Sequence, residues 1–107
     1  MFGNLGEMAG LMKKFGEIQK NMKKMKEELA AATLVGKDPT EKVVVEMSGD
    51  MEVKGFHIDP SLLSSGNSLM LETACSSAVQ DALRQVKKLG AEKLSEATGG
   101  LSLPGLF

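Results

Sequence analysis

Residues 8–32 read MAGLMKKFGEIQKNMKKMKEELAAA, and the fold turns on this stretch. Met8, Leu11, Phe15, Ile18, Met22, Met25, Leu29 and Ala32 recur at alternating steps of three and four. That is the a/d spacing of a coiled-coil seam, with Met12 lying beside it. The spacing predicts a helix over residues 7–33, roughly 40 Å long at ~1.5 Å per residue. Gly10 and Gly16 weaken its first turns by up to about 1 kcal/mol each relative to Ala. The same stretch holds Lys13, Lys14, Lys20, Lys23, Lys24 and Lys26, none of them at an a or d position. The helix is therefore apolar on one side and lysine-lined on the other.

Reading outward, residues 34–41 (LVGKDPTE) break the helical pattern. A short strand at 34–36 leads into a turn at Asp38 and Pro39. Residues 43–47 (VVVEM) are β-branched and alternate, which predicts a strand with Val43, Val45 and Met47 on one face. Ser48, Gly49 and Asp50 form a hairpin turn, and residues 51–58 a third strand whose alternation slips. Met51 and Val53 fall on one face, Phe56 and Ile58 on the other. Gly55 sits at the change of phase, as in a β-bulge that returns Phe56 and Ile58 to the buried side. Asp59 as N-cap and Pro60 at the first helical position start a brief turn.

A loop over residues 64–67 precedes a second long helix over 68–97, apolar at Leu71, Cys75, Ala78, Val79, Ala82, Val86, Leu89 and Leu94, with Leu83 at the margin. Ala74, Ser77, Ala78 and Ala82 are small enough to let a neighbouring element approach closely. Gly99 and Gly100 end that helix, and the tail LSLPGLF over residues 101–107 is apolar without helical period. The expected architecture is α+β in one domain over residues 1–107. A long N-terminal helix is followed by a three-stranded antiparallel sheet within 34–59, a long C-terminal helix and an apolar tail over 98–107.

Size then bears on assembly. A compact domain of 107 residues has a radius of gyration near ~13 Å. Helices of about 40 and 45 Å outrun a sheet of such short strands. An uncovered apolar stripe of that length marks an interface. The reading is a homodimer joined through Met8, Leu11, Phe15, Ile18, Met22, Met25, Leu29, Val45 and Phe56. The alternative is a hairpin of the two helices within one chain.

Composition narrows the chemistry. Cys75 is the one cysteine, which excludes an internal disulfide and suits a reducing cytosol. No apolar run reaches the ~20 residues of a membrane span, and the start of the chain has no signal-peptide pattern. His57 is the only histidine, and no CxxC, HxxxH or HExxH spacing occurs. There is no glycine-rich phosphate loop followed by Lys, and Cys75 lies on an apolar helix face. The expectation is a protein without metal, cofactor, small-molecule substrate or catalytic activity.

Formal net charge is −1, but it is unevenly spread: +2 over residues 1–33, −4 over 34–72 and +1 over 73–107. The six lysines of the first helix admit two readings. They are a solvated face that keeps a Met-rich helix soluble, or a phosphate-binding stripe extended by Arg84, Lys87, Lys88 and Lys93. Lysine contact supplies affinity by counterion release and little base discrimination, which favours bidentate Arg, Asn or Gln. Another possibility is a protein–protein adaptor that uses the apolar seam or the LPGLF tail.

The opening MFGNLG, the helix end KEELAAATLVG, the strand VVVEMSGD, the segments VKGFHIDPSLL and LETACSSAVQDALRQ, and the closing GLSLPGLF resemble the YbaB/EbfC family of nucleoid-associated proteins. The likeness covers nearly the whole length in the same order. It is most specific at IDPSLL (58–63), Leu71 and Glu72, and the alanine-rich helix with Asp81 and Ala82. It implies a tweezer-like homodimer with projecting helices, in the nucleoid of the cytoplasm. It also implies double-stranded DNA as partner, bound with little sequence preference. Carried onto this chain, the DNA-binding residues are Lys13, Lys14, Lys20, Lys23, Lys24 and Lys26 with Arg84, Lys87 and Lys88.

Overall fold

A computed structural model describes residues 5–100 of the chain. The elements run α1 (Leu5–Ala31), β1 (Thr33–Lys37), β2 (Val43–Ser48), β3 (Val53–Ile58), α2 (Pro60–Ser64) and α3 (Ser68–Ala97). The strands form one antiparallel sheet in the order β1-β2-β3. This is the α+β arrangement that periodicity predicts, with small shifts at its joints. The helix gives way at Ala31 rather than Thr33, because β-branched Thr33 already pairs with Ser48. The third strand opens at Val53 rather than residue 51. Met51 is held in the turn, where its N–H donates to the Ser48 carbonyl at 3.0 Å and its φ is +69°. The tail over residues 101–107 lies outside the described residues.

The core forms where α3 lies on β1 and β2. Val43, Val45 and Met47 on β2 meet Ala74, Ala78, Ala82 and Val86 on α3, with Leu62 of α2 closing one end. Small residues let helix and strand approach to backbone contact. A Cβ added at Gly36 would meet the Ala78 carbonyl oxygen and the Ala82 amide, and would stand 2.6 Å from the Ala82 Cβ. Glycine in a strand often marks such a close approach.

The bulge in β3 falls one residue before the glycine that signals it. Glu46 pairs with Gly55 and Met47 with Val53, so Lys54 is the extra residue. The offset puts Val53, Phe56 and Ile58 on one face with Met47, Val45 and Val43. That face is covered over β1 and β2 but only at the Ile58 end of β3: Ile58 is half-buried against the core, whereas Val53 is 58% exposed and Phe56 42%.

Turns and caps fix the joints. Asp59 accepts from the Ser61 N–H at 2.8 Å with Pro60 beginning α2, as the sequence signals. Asn67 caps α3 by accepting from the Met70 N–H at 3.1 Å. Asp38 is buried in the β1–β2 loop. It accepts from the Val43 N–H at 2.8 Å, the Thr40 N–H at 3.1 Å and the Thr40 hydroxyl. Burial alone would raise its pKa. The hydrogen bonds from Thr40, Val43 and Lys42 outweigh that and hold the carboxyl below its ordinary value.

Candidate nucleic-acid interface

The molecule is a rod, with a radius of gyration of 20.5 Å and extents of 74 × 22 × 14 Å. Its length comes from how little the two long helices overlap. The Asn21 amide donates to the Ala97 carbonyl at 3.3 Å, and Lys93 Nζ lies 2.7 Å from Glu28 Oε2. Residue numbers rise on one helix as they fall on the other, so the two run antiparallel across residues 21–28 and 93–97. The hairpin turn also docks on the end of α1, with the Gly49 N–H donating to the Leu29 carbonyl at 2.8 Å. A Cβ at Gly49 would stand 2.6 Å from that oxygen, so only glycine fits.

This overlap divides the seam. Ile18, Met22, Met25 and Leu29 are half-buried, while Met8, Leu11 and Phe15 are 56–65% exposed. Part of the surface read from sequence as a dimer interface is thus used inside the chain, as a helical hairpin over the last turns of α1. Val45, expected in the same interface, has 0% exposure under α3 and no face left for a partner. Phe56 and its neighbours Val53 and Met51 remain open.

The lysines face water. Lys13, Lys14, Lys20, Lys23, Lys24 and Lys26 are all exposed on α1. Steps of seven and four put Lys13, Lys20 and Lys24 on a stripe opposite the seam. Lys14 instead flanks Leu11, Phe15 and Ile18. Lys24 comes within 4.0 Å of Glu28, the one ion pair that any of the six makes among the described residues. On α3, Lys87 and Lys88 are exposed and make no ion pair there, and Arg84 sits 3.7 Å from Asp81.

Lys93 belongs to a different group. It bridges Glu28 at 2.7 Å and Glu96 at 3.8 Å, fastening α3 to α1. The hydrogen bond to Glu28 raises the Lys93 pKa and lowers that of Glu28. Its position 65 residues from Glu28 gave no sequence signal of this role. Asp81 and Gln85 are likewise structural. Asp81 accepts from the Lys37 N–H at 3.0 Å and Gln85 donates to the Val35 carbonyl at 2.7 Å, stitching α3 to the edge of β1.

Other chemistry finds little to build on. His57 lies 3.4 Å from Glu46 on the outer face of the sheet, and both are exposed to a large degree. Among the described residues, no group of three or more His, Cys, Asp or Glu is placed to hold a metal ion. A cleft of about 420 Å³ between the β1–β2 loop and the start of α3 is lined by Leu62, Leu69, Met70 and Ala74, with Asp38 committed to its own loop. No helix is long and apolar enough to cross a membrane among the described residues.

Acid on the sheet body, a net-basic α1, and exposed Arg84, Lys87 and Lys88 on an otherwise neutral α3 define a small α+β chain with lysine-lined helix faces. The crystal structure of an uncharacterised protein of Helicobacter pylori, HP0035, is similar to this chain, with a TM-score of 0.70 at 21% identity over 91% of this chain and 98% of that one. That likeness shows the fold. The model of the YbaB/EbfC DNA-binding family matches residues 4–101, and the chain belongs to that family. It is thereby placed among nucleoid-associated DNA-binding proteins.

Proposed function

We propose that the chain binds duplex DNA as a homodimer, with little sequence preference, through the lysines of α1 and the basic residues of α3. The observation that carries the reading is the set of lysines on α1 and α3 that are exposed and left without a carboxylate partner among the described residues: Lys13, Lys14, Lys20, Lys23, Lys26, Lys87 and Lys88. Arg84 and Lys24 are exposed beside them. A cation already neutralised inside the fold, such as Lys93, gains less from a phosphate than one held in water. Arg84 is the one arginine in the chain, so bidentate guanine contacts are scarce and backbone attraction dominates.

The dimer surface in this reading is the face of β3 that α3 leaves open, with Val53, Phe56 and the adjoining Met51. These side chains continue the buried face of β2, so a second copy would complete a core already half built. Pairing also doubles the number of phosphates engaged. The dimer works on the nucleoid in the cytoplasm and needs no cofactor.

Changing Lys20, Lys23 and Lys24 together to Glu tests the DNA contact, because all three are exposed and outside the core. The variant is expected to lose retention of a duplex at ~100 mM salt while keeping its mass in solution and its melting temperature. Retention at the original strength would remove α1 from the interface. A partner bound instead through apolar surface would hold almost equally at low and high salt.

A further inference from the structure

We infer that Lys54 is a positioning residue for the lysine arm: its ammonium caps the carboxyl end of α1 and fixes the direction in which that helix leaves the body. The consequence for DNA rests on the proposed function, whereas the cap itself does not.

The need for such a residue follows from how α1 is held. None of its 27 residues is buried, so apolar packing alone does not set its direction. The last four carbonyls of a helix have no partner within it, and that end carries a partial negative charge. α3 closes with its own chain, where Gly99 and Gly100 turn their N–H groups back on the Glu96 and Ser95 carbonyls. α1 has no such close. No residue from 29 to 37 takes a positive φ, and the last turn of α1 holds no basic side chain.

The closing groups come instead from the β2–β3 hairpin. The Gly49 N–H takes the Leu29 carbonyl. Lys54 Nζ donates to the Ala32 carbonyl at 3.3 Å and to the Thr33 hydroxyl at 3.1 Å. β2 lies between β3 and β1, so this side chain crosses a whole strand to reach the joint of α1 and β1. The bulge accounts for the reach. Lys54 is the extra residue between the Glu46–Gly55 and Met47–Val53 pairs, and a bulge re-aims the side chain it leaves unpaired.

Leverage makes a contact at the joint matter far from it. From Ala32 back to Lys13 is about 28 Å along the helix at ~1.5 Å per residue. A swing of about 10° at the joint therefore moves Lys13 by about 5 Å, more than the ~3.4 Å rise between successive phosphates of one strand. The Glu28–Lys93 pair holds α1 from the side of α3. Lys54 holds it from the sheet. The hairpin that supplies Lys54 also carries Met51, Val53 and Phe56, so one element sets both the arm and the proposed dimer face.

The test is a distance measurement by pulsed electron paramagnetic resonance. Nitroxides are placed at Met12→Cys on the arm and Gln80→Cys on α3, both exposed positions, with Cys75→Ala removing the native thiol. Labelled chains are refolded with an excess of unlabelled chain, so that distances within one chain are read. Lys54→Met keeps the stem and removes the ammonium, and is expected to widen the distance distribution about twofold. Lys54→Arg should leave it as in the parent. Melting temperatures should stay within about 3 °C, because Lys54 is exposed. An unchanged distribution in Lys54→Met would overturn the inference. Without the labels, Lys54→Met should bind duplex DNA up to about fivefold more weakly at an unchanged salt slope, and Lys54→Arg should restore the affinity. A slope shallower by about one would make Lys54 a phosphate contact and would also overturn the inference. Failure of the parent to bind DNA would count against the proposed function alone, because the distances judge Lys54 without it.

Discussion

Phe15 and Leu29 sit on one helix, on one face, at heptad positions of the same seam, yet they live in different surroundings. Leu29 is half-buried, with its carbonyl taken by the Gly49 N–H and its side chain against the hairpin turn. Phe15 is 65% exposed. The difference is set by where α3 ends, because Ala97 reaches only to Asn21. Identical periodicity thus yields a structural half that anchors the helix and a projecting half that offers surface. The glycines divide in the same way. Gly36 and Gly49 sit where any Cβ would strike backbone, whereas Gly6, Gly10 and Gly16 have open space around them.

The contrast breaks most visibly at Gly36. Gly36→Ala drives a methyl into the α3 backbone at Ala78 and Ala82, and should cost about 3 kcal/mol as the helix lifts from the sheet. Urea unfolding measures this. A loss below about 1 kcal/mol would mean that α3 is not seated as described.

Asp38→Asn comes next, at about 2 kcal/mol, because three donors in a buried loop lose their charged acceptor. The pH dependence has a definite sign. The folded-state pKa of Asp38 is depressed, so its contribution is complete above the unfolded value of about 3.9 and drains away as pH falls through the lower folded value. Stability measured between pH 5 and pH 2 should therefore fall less steeply in Asp38→Asn than in the parent. Equal slopes would mean that Asp38 is not the group responsible.

The smallest effect has the opposite sign. Gly16→Ala, in the projecting half, should stabilise the helix by about 0.5–1 kcal/mol without disturbing any contact. A loss of stability there would reveal a close neighbour at Gly16 and weaken the division between the halves.

Much of this fold is legible in the sequence because it is local. The step of three and four in α1, the alternation Val43, Val45, Met47, and the Asp59 and Pro60 start of α2 all depend on residues within a turn or two of each other. What the sequence leaves dark depends on elements meeting across the chain. The split of the seam, the Glu28–Lys93 tie and the enclosure of Val45 all follow from how far α3 reaches. Gly55 signals a bulge, but the extra residue proves to be Lys54, since only the pairing with β2 decides which residue is left over. Of the candidate site, the lysines are legible as a cluster. Their sorting into exposed cations and a structural one at Lys93 is not.

The central claim is that exposed lysines on α1 and α3 hold DNA by charge rather than by shape or sequence. Binding to two unrelated duplexes across a series of salt concentrations tests it most directly. If the dimer engages about six phosphates, log affinity should fall against log salt with a slope near −5, alike for both duplexes. The Lys20, Lys23 and Lys24 to Glu variant should show a shallower slope. A slope near zero, or tight binding to one duplex alone, would contradict the account.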